Sequence, residues 1–168
     1  MNDGLLDGFR HNNWATARLL DVCRGLTRTD LDSVQIGAYG TIYETLWHIV
    51  SSDASYCARL TGREGAWDRR ARVIPPVDTL LEYNEDLGRR WEEFLAAPFN
   101  AERTFVVPWD TGPDRDVPAG VILARALHHA NEHRAQVASM LTSLGVEPPN
   151  LGVWEWSEVS NRSRQRTA

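Results

Sequence analysis

The stretch Leu127-His128-His129-Ala130-Asn131-Glu132-His133-Arg134 sets two imidazoles four residues apart within a longer apolar seam: Ile122, Ala126, His129, His133, Val137, Met140 and Leu144. Steps of three and four residues trace one face of an α-helix, so His129 and His133 stack on the buried side of a helix, about 6 Å apart. An imidazole removed from water without a partner costs a few kcal/mol, and a shared divalent cation would satisfy both at once. His48, in the apolar stretch Leu46-Trp47-His48-Ile49-Val50, offers a third imidazole from a different helix. Three protein ligands, with a fourth position left to water or substrate, is the arrangement of catalytic zinc-type sites. Separate hydrogen bonds for each histidine would satisfy the same burial, so a plain helical bundle without metal is the competing reading.

The same period marks three further helices. Leu6, Phe9, Asn13, Ala17 and Leu20 predict a first helix over residues 4–24, stopped by Gly25. Thr41-Ile42-Tyr43-Glu44 is a capping box, and Ile42, Leu46, Ile49, Tyr56 and Leu60 continue the stripe to Gly62, with His48 on its flank. An arginine-rich connection ends at Pro75-Pro76, after which Leu80, Tyr83, Leu87, Trp91 and Phe94 mark a third helix closed by Pro98. Residues 99–117 read as a long loop able to form a hairpin, from the β-branched content of Arg103-Thr104-Phe105-Val106-Val107 and the turn signal Thr111-Gly112-Pro113-Asp114. Asp116 as cap and Pro118 in the first turn open the fourth helix, which Gly145 and Pro148-Pro149 end. Beyond Asn150, Val153-Trp154-Glu155-Trp156 is expected to pack on the bundle and residues 160–168 to fray. The prediction is an all-α fold, one domain over 1–168, with a short extended segment between the third and fourth helices.

Composition narrows the function classes. With 168 residues and 42% hydrophobic content, the chain can bury a core without disulfides. Its net charge of −5 comes from 23 acidic and 18 basic residues mixed along the sequence, which leaves no basic face for nucleic acid. No apolar run approaches the roughly 18–20 residues of a membrane span. Met1-Asn2-Asp3-Gly4 lacks the features of a secretion signal, so a cytoplasmic protein is expected. Cys23 and Cys57 form no C-x-x-C motif and read as buried structural thiols. His128 lies about 100° around the helix from His129, in line with Arg125 and Glu132, and His11 reads as a surface residue; neither is taken as a ligand. His129-Ala130-Asn131-Glu132-His133 also satisfies H-x-x-E-H, an inverted zinc-protease pattern with Glu132 as base. That reading needs a further glutamate ligand well downstream and an enclosing chamber, and only 35 residues follow His133.

His48 in an apolar second helix, His129 and His133 followed by Arg134-Ala135-Gln136-Val137, the opening His11-Asn12-Asn13-Trp14-Ala15 and the closing Leu144-Gly145-Val146-Glu147-Pro148-Pro149 together resemble the DinB/YfiT-like superfamily over nearly the whole chain. The histidine pair and the H-R-x-Q run from His133 are its specific parts. Ala135 stands where relatives often have glycine, and it suits a helix interior better. The resemblance implies a four-helix bundle with one long crossover connection and a divalent metal, commonly zinc or nickel, on His48, His129 and His133. It also implies a small-molecule substrate, and S-transfer or isomerisation with a low-molecular-weight thiol such as bacillithiol or mycothiol. A metal-dependent hydrolase and a non-catalytic metal-binding stress-response protein are alternatives that keep the same ligands. Asn12 or Asn13 of the first helix is a candidate for the opposite wall of the pocket, no general acid or base is assigned, and a homodimer is expected because such bundles often pair.

Overall fold

The computed structural model describes residues 3–109, 111–164 and 166. Its elements, in chain order, are α1 (Asp3–Arg24), α2 (Arg28–Leu31), α3 (Ile42–Thr61), α4 (Val77–Ala96), β1 (Thr104–Val107), β2 (Arg115–Pro118), α5 (Ala119–Ser143) and α6 (Val153–Val159). The four long helices are those whose apolar period is legible in the sequence. α1 packs on α4 and α5, and α3 packs on the same two, so the four surround one core. Phe9, Leu20, Leu46, Leu87, Trp91 and Met140 are among its fully enclosed side chains. Cys23 and Cys57 are free thiols buried in that core. No described helix is long and apolar enough to cross a membrane.

Local chemistry sets the ends. The Thr41 hydroxyl accepts from the Glu44 amide at 3.0 Å while the Glu44 carboxylate accepts from the Thr41 amide at 2.8 Å, the reciprocal pair expected of a capping box. Gly62 closes α3 in the left-handed region, at φ 70°, where a Cβ would be strained.

One sequence expectation is corrected and one element is added. The fold is mostly helical, and the extended segment expected between the third and fourth helices forms an antiparallel hairpin in the register Thr104 with Pro118 and Val107 with Arg115. Asp116 therefore sits in β2 and does not cap α5. Pro118 holds the cap position, and the first free amides of α5 are satisfied by the hairpin stem: Ala119 donates to the Arg103 carbonyl at 2.8 Å and Gly120 to that of Ala101 at 2.9 Å. The short α2 is an addition, with its own capping box between Thr27 and Asp30; four residues are too few to show a period. After α5 the chain returns along α1, where Trp156 of α6 is buried while Trp154 is exposed. Arg162 then pairs with Asp7 of α1. Of the tail expected to fray, residues 165, 167 and 168 lie outside the described residues.

α1 and α4 pack tightly at Gly88. Two amide side chains bridge the helices there: Asn13 donates to the Asn84 carbonyl, and Asn84 donates to the Asn13 carbonyl at 3.0 Å. A Cβ on Gly88 would stand 2.7 Å from the Asn13 side-chain oxygen. Gly88→Ala is expected to lower stability by about 1–3 kcal/mol through this overlap, although alanine favours a helix over glycine by about 1 kcal/mol. In an Asn13→Ala background the same change should be neutral or stabilising, which urea denaturation of the four proteins in the double-mutant cycle would show.

Candidate metal centre

α3 presents His48 and α5 presents His129 and His133 to one point, where one ring nitrogen from each lies within 4.8 Å of the other two. His129 and His133 are buried and His48 is half-buried. The Nε2 atoms of His48 and His129 face each other at 2.9 Å. Two neutral imidazoles cannot both direct a lone pair there, so the contact requires either one shared proton or a cation. For a tetrahedral ion at 2.0–2.1 Å from each nitrogen, ligand nitrogens would stand about 3.3 Å apart, a value inside the observed spread. The donor set fits a divalent transition metal.

The tautomer of His133 is fixed by its neighbour. Gln136 Oε1 lies 2.9 Å from His133 Nδ1 and 3.3 Å from the backbone nitrogen of Tyr39. The Tyr39 amide can only donate, which identifies the shared atom as the amide oxygen, so His133 Nδ1 carries the proton and Nε2 keeps its lone pair. Tyr39 in turn stacks on His48, with centroids 3.8 Å apart and planes 12° from parallel. Tyr56 meets His129 edge-on at 5.8 Å. Burial, then the His133 imidazole and the Arg125 cation, lowers His48 to about 4. The same causes, with His48 and His128 added, lower His129 to about 3. Both rings are thus neutral at neutral pH, the state in which an imidazole binds metal.

Behind the histidines runs a buried polar network that the sequence reading does not include. Arg134 is only 3% exposed, and its Nη1 donates to Asn12 Oδ1 at 2.6 Å and to the Thr16 hydroxyl at 3.0 Å. Asp53 of α3 accepts from Trp91 Nε1 at 3.1–3.2 Å, and its burial raises it to about 6 against the pull of that hydrogen bond and of the Arg134 cation.

The sequence candidates divide accordingly. His48, His129 and His133 come together. Neither Asn12 nor Asn13 faces the histidines: Asn12 is tied to Arg134, and Asn13 is tied to α4 and lines a separate cavity between α1 and α4. His128 and Glu132 share an exposed row with Arg125, so the H-x-x-E-H reading has no base at the centre. His11 is not a surface residue. Its Nε2 donates to the Leu151 carbonyl at 2.9 Å and its ring meets Trp156, because the C-terminal segment lies over it. Tyr39, Asp53 and Tyr56 were missed, whereas Gln136, one turn beyond His133 in the H-R-x-Q run, carried a usable spacing signal.

The DinB family model matches residues 1–163. The chain belongs to the DinB family. No curated protein matches it. Among solved structures it is similar to a DinB-like protein from Bacillus cereus ATCC 10987, at a TM-score of 0.69 and 19% identity, with 89% of this chain and 96% of that one covered. At that identity the likeness speaks for the fold alone.

Two outcomes follow from the geometry. Gln136→Leu removes the acceptor that orients His133 and should weaken zinc binding by about 10–100-fold, as read by competition with a chromophoric chelator. Asp53, raised from 3.8 to about 6, contributes stability that is full below pH 4 and lost as pH rises through 6. Between pH 4 and 7 the wild type should therefore lose about 2–3 kcal/mol relative to Asp53→Asn, measured as paired denaturant curves so that the opposite contribution of the histidines cancels.

Proposed function

We propose that the chain is a metal-dependent enzyme in which His48, His129 and His133 hold one divalent transition metal, zinc or nickel, and that it joins an intact low-molecular-weight thiol, through its sulfur, to an electrophilic small-molecule substrate, the new C–S bond forming as the substrate's leaving group departs or its double bond takes up the thiol's proton. The observation that carries this reading is the convergence of three ring nitrogens, one with its tautomer set by Gln136 and two held neutral by burial. A bound divalent cation deprotonates a coordinating thiol and brings a coordinated water toward neutrality.

The chain's own residues support an external nucleophile. Burial pushes both Cys23 and Cys57 up to about 12, so neither offers a thiolate. Tyr39 covers one face of His48 and, through its amide, shares Gln136 with His133, so the segment before α3 shields the imidazoles on that side. The helices around the site are read as the four-helix bundle with one long crossover that the resemblance implies, and a cytoplasmic homodimer belongs to the same reading.

Elemental mass spectrometry on untagged protein purified without chelator tests it, with His129→Ala/His133→Ala as control. About one equivalent of zinc or nickel, lost in the variant, is expected, followed by metal-dependent consumption of a bacillithiol- or mycothiol-type thiol with an electrophilic acceptor. Negligible metal that zinc and nickel cannot restore would overturn the proposal. Metal without thiol transfer, but with hydrolysis, would favour the hydrolase alternative; metal with neither would favour a non-catalytic metal-binding protein.

A further inference from the structure

The hairpin leans over the groove between α3 and α5 and borders a half-open cavity of about 420 Å³, within the range of small-molecule sites. Tyr56 and Arg59 of α3, Ile122 and Arg125 of α5, and Val117 and Trp109 of the hairpin form its walls. The inner end adjoins the histidines. Tyr56 both lines the cavity and meets the His129 ring edge-on, and Arg125 stands one helical turn before His129, close enough that its charge acts on both His48 and His129.

Three guanidinium groups outnumber the one carboxylate of the cleft, Asp116 of β2, and they are not equivalent. Arg59 donates to the Val106 carbonyl and so fastens the hairpin to α3. Arg115 lies over the Trp109 ring at 4.1 Å. Arg125 has a loose ion pair with Glu132, 3.9 Å long between half-exposed side chains, a contact worth little in water. Of the three it is the one whose charge acts on His48 and His129, and a ligand carboxylate can displace the Glu132 contact in the bidentate geometry that arginine favours.

We propose that this cleft binds an apolar or aromatic carboxylate, its charged end held by Arg125 beside the imidazoles and its body laid against Tyr56, Ile122, Val117 and Trp109. Its role as the acceptor-substrate site rests on the metal-dependent reading above, but the binding itself does not, because none of the three histidines forms the cavity wall.

The test is calorimetric titration of zinc-treated protein with 4-phenylbutyrate and with its uncharged amide. The carboxylate is expected to bind more tightly than the amide. Arg125→Gln should weaken the carboxylate about tenfold and leave the amide unchanged. Val121→Trp, which places an indole in the cleft from a largely exposed position on α5, should abolish both, with circular dichroism confirming the fold. His129→Ala/His133→Ala should retain the carboxylate within about threefold, so a failure of the metal reading leaves this result standing. Equal binding of the two probes, no binding of the carboxylate at millimolar concentration, indifference to Arg125→Gln or Val121→Trp, or binding lost with the histidine pair would each overturn the proposal.

Discussion

One buried cation sets the rotation of α5. A guanidinium taken out of water costs several kcal/mol unless its donors and its charge are both answered, and Arg134 finds that answer only where Asn12 and Thr16 of α1 face it and Asp53 of α3 supplies an opposing charge. Burial lowers Arg134 to about 10, so it is still charged at neutral pH and the demand persists. Because His133 precedes Arg134 and His129 lies one turn further back, the helix phase that satisfies the arginine is also the phase that turns both imidazoles toward His48. Among the described residues the arginine's hydrogen bonds go to Asn12 and Thr16 and not to either imidazole, yet it decides where both point.

Charge around the site works in one direction. Arg125 lies on one side of the imidazoles and the imidazoles disfavour one another's protonation. Positive charge and burial therefore both favour the neutral ring, and the lone pairs stay available without a carboxylate beside them. The Asp53 carboxyl, the nearest acid of the network, is turned toward Trp91 and Arg134 instead.

The long helices and the three histidines could be read from the sequence because each belongs to a pattern of fixed spacing: a 3.6-residue stripe, a capping box at Thr41, a pair four residues apart. The rest depends on contacts without a local signature. Tyr39 reaches His48 from a loop whose conformation no period encodes, and Asp53 and Trp91 meet across 38 residues of chain. Asp116 looked like a cap because strand pairing is invisible until residues 104–107 find 115–118, and His11 looked exposed because α6, which covers it, is separated from it by most of the sequence. Asn13 was misassigned for a similar reason: its place in the stripe was right, but its partner on α4 could not be known.

The hairpin divides the molecule between parts that must stay and parts that can drift. Its stem secures the start of α5 through Arg103 and Ala101, while residues 111–114 before β2 are exposed. Lengthening such a turn costs little closure entropy, so a change in its exposed residues 111–114 leaves the helix phases, and the imidazoles they carry, in place. What the cleft admits is thereby uncoupled from the stability of the fold.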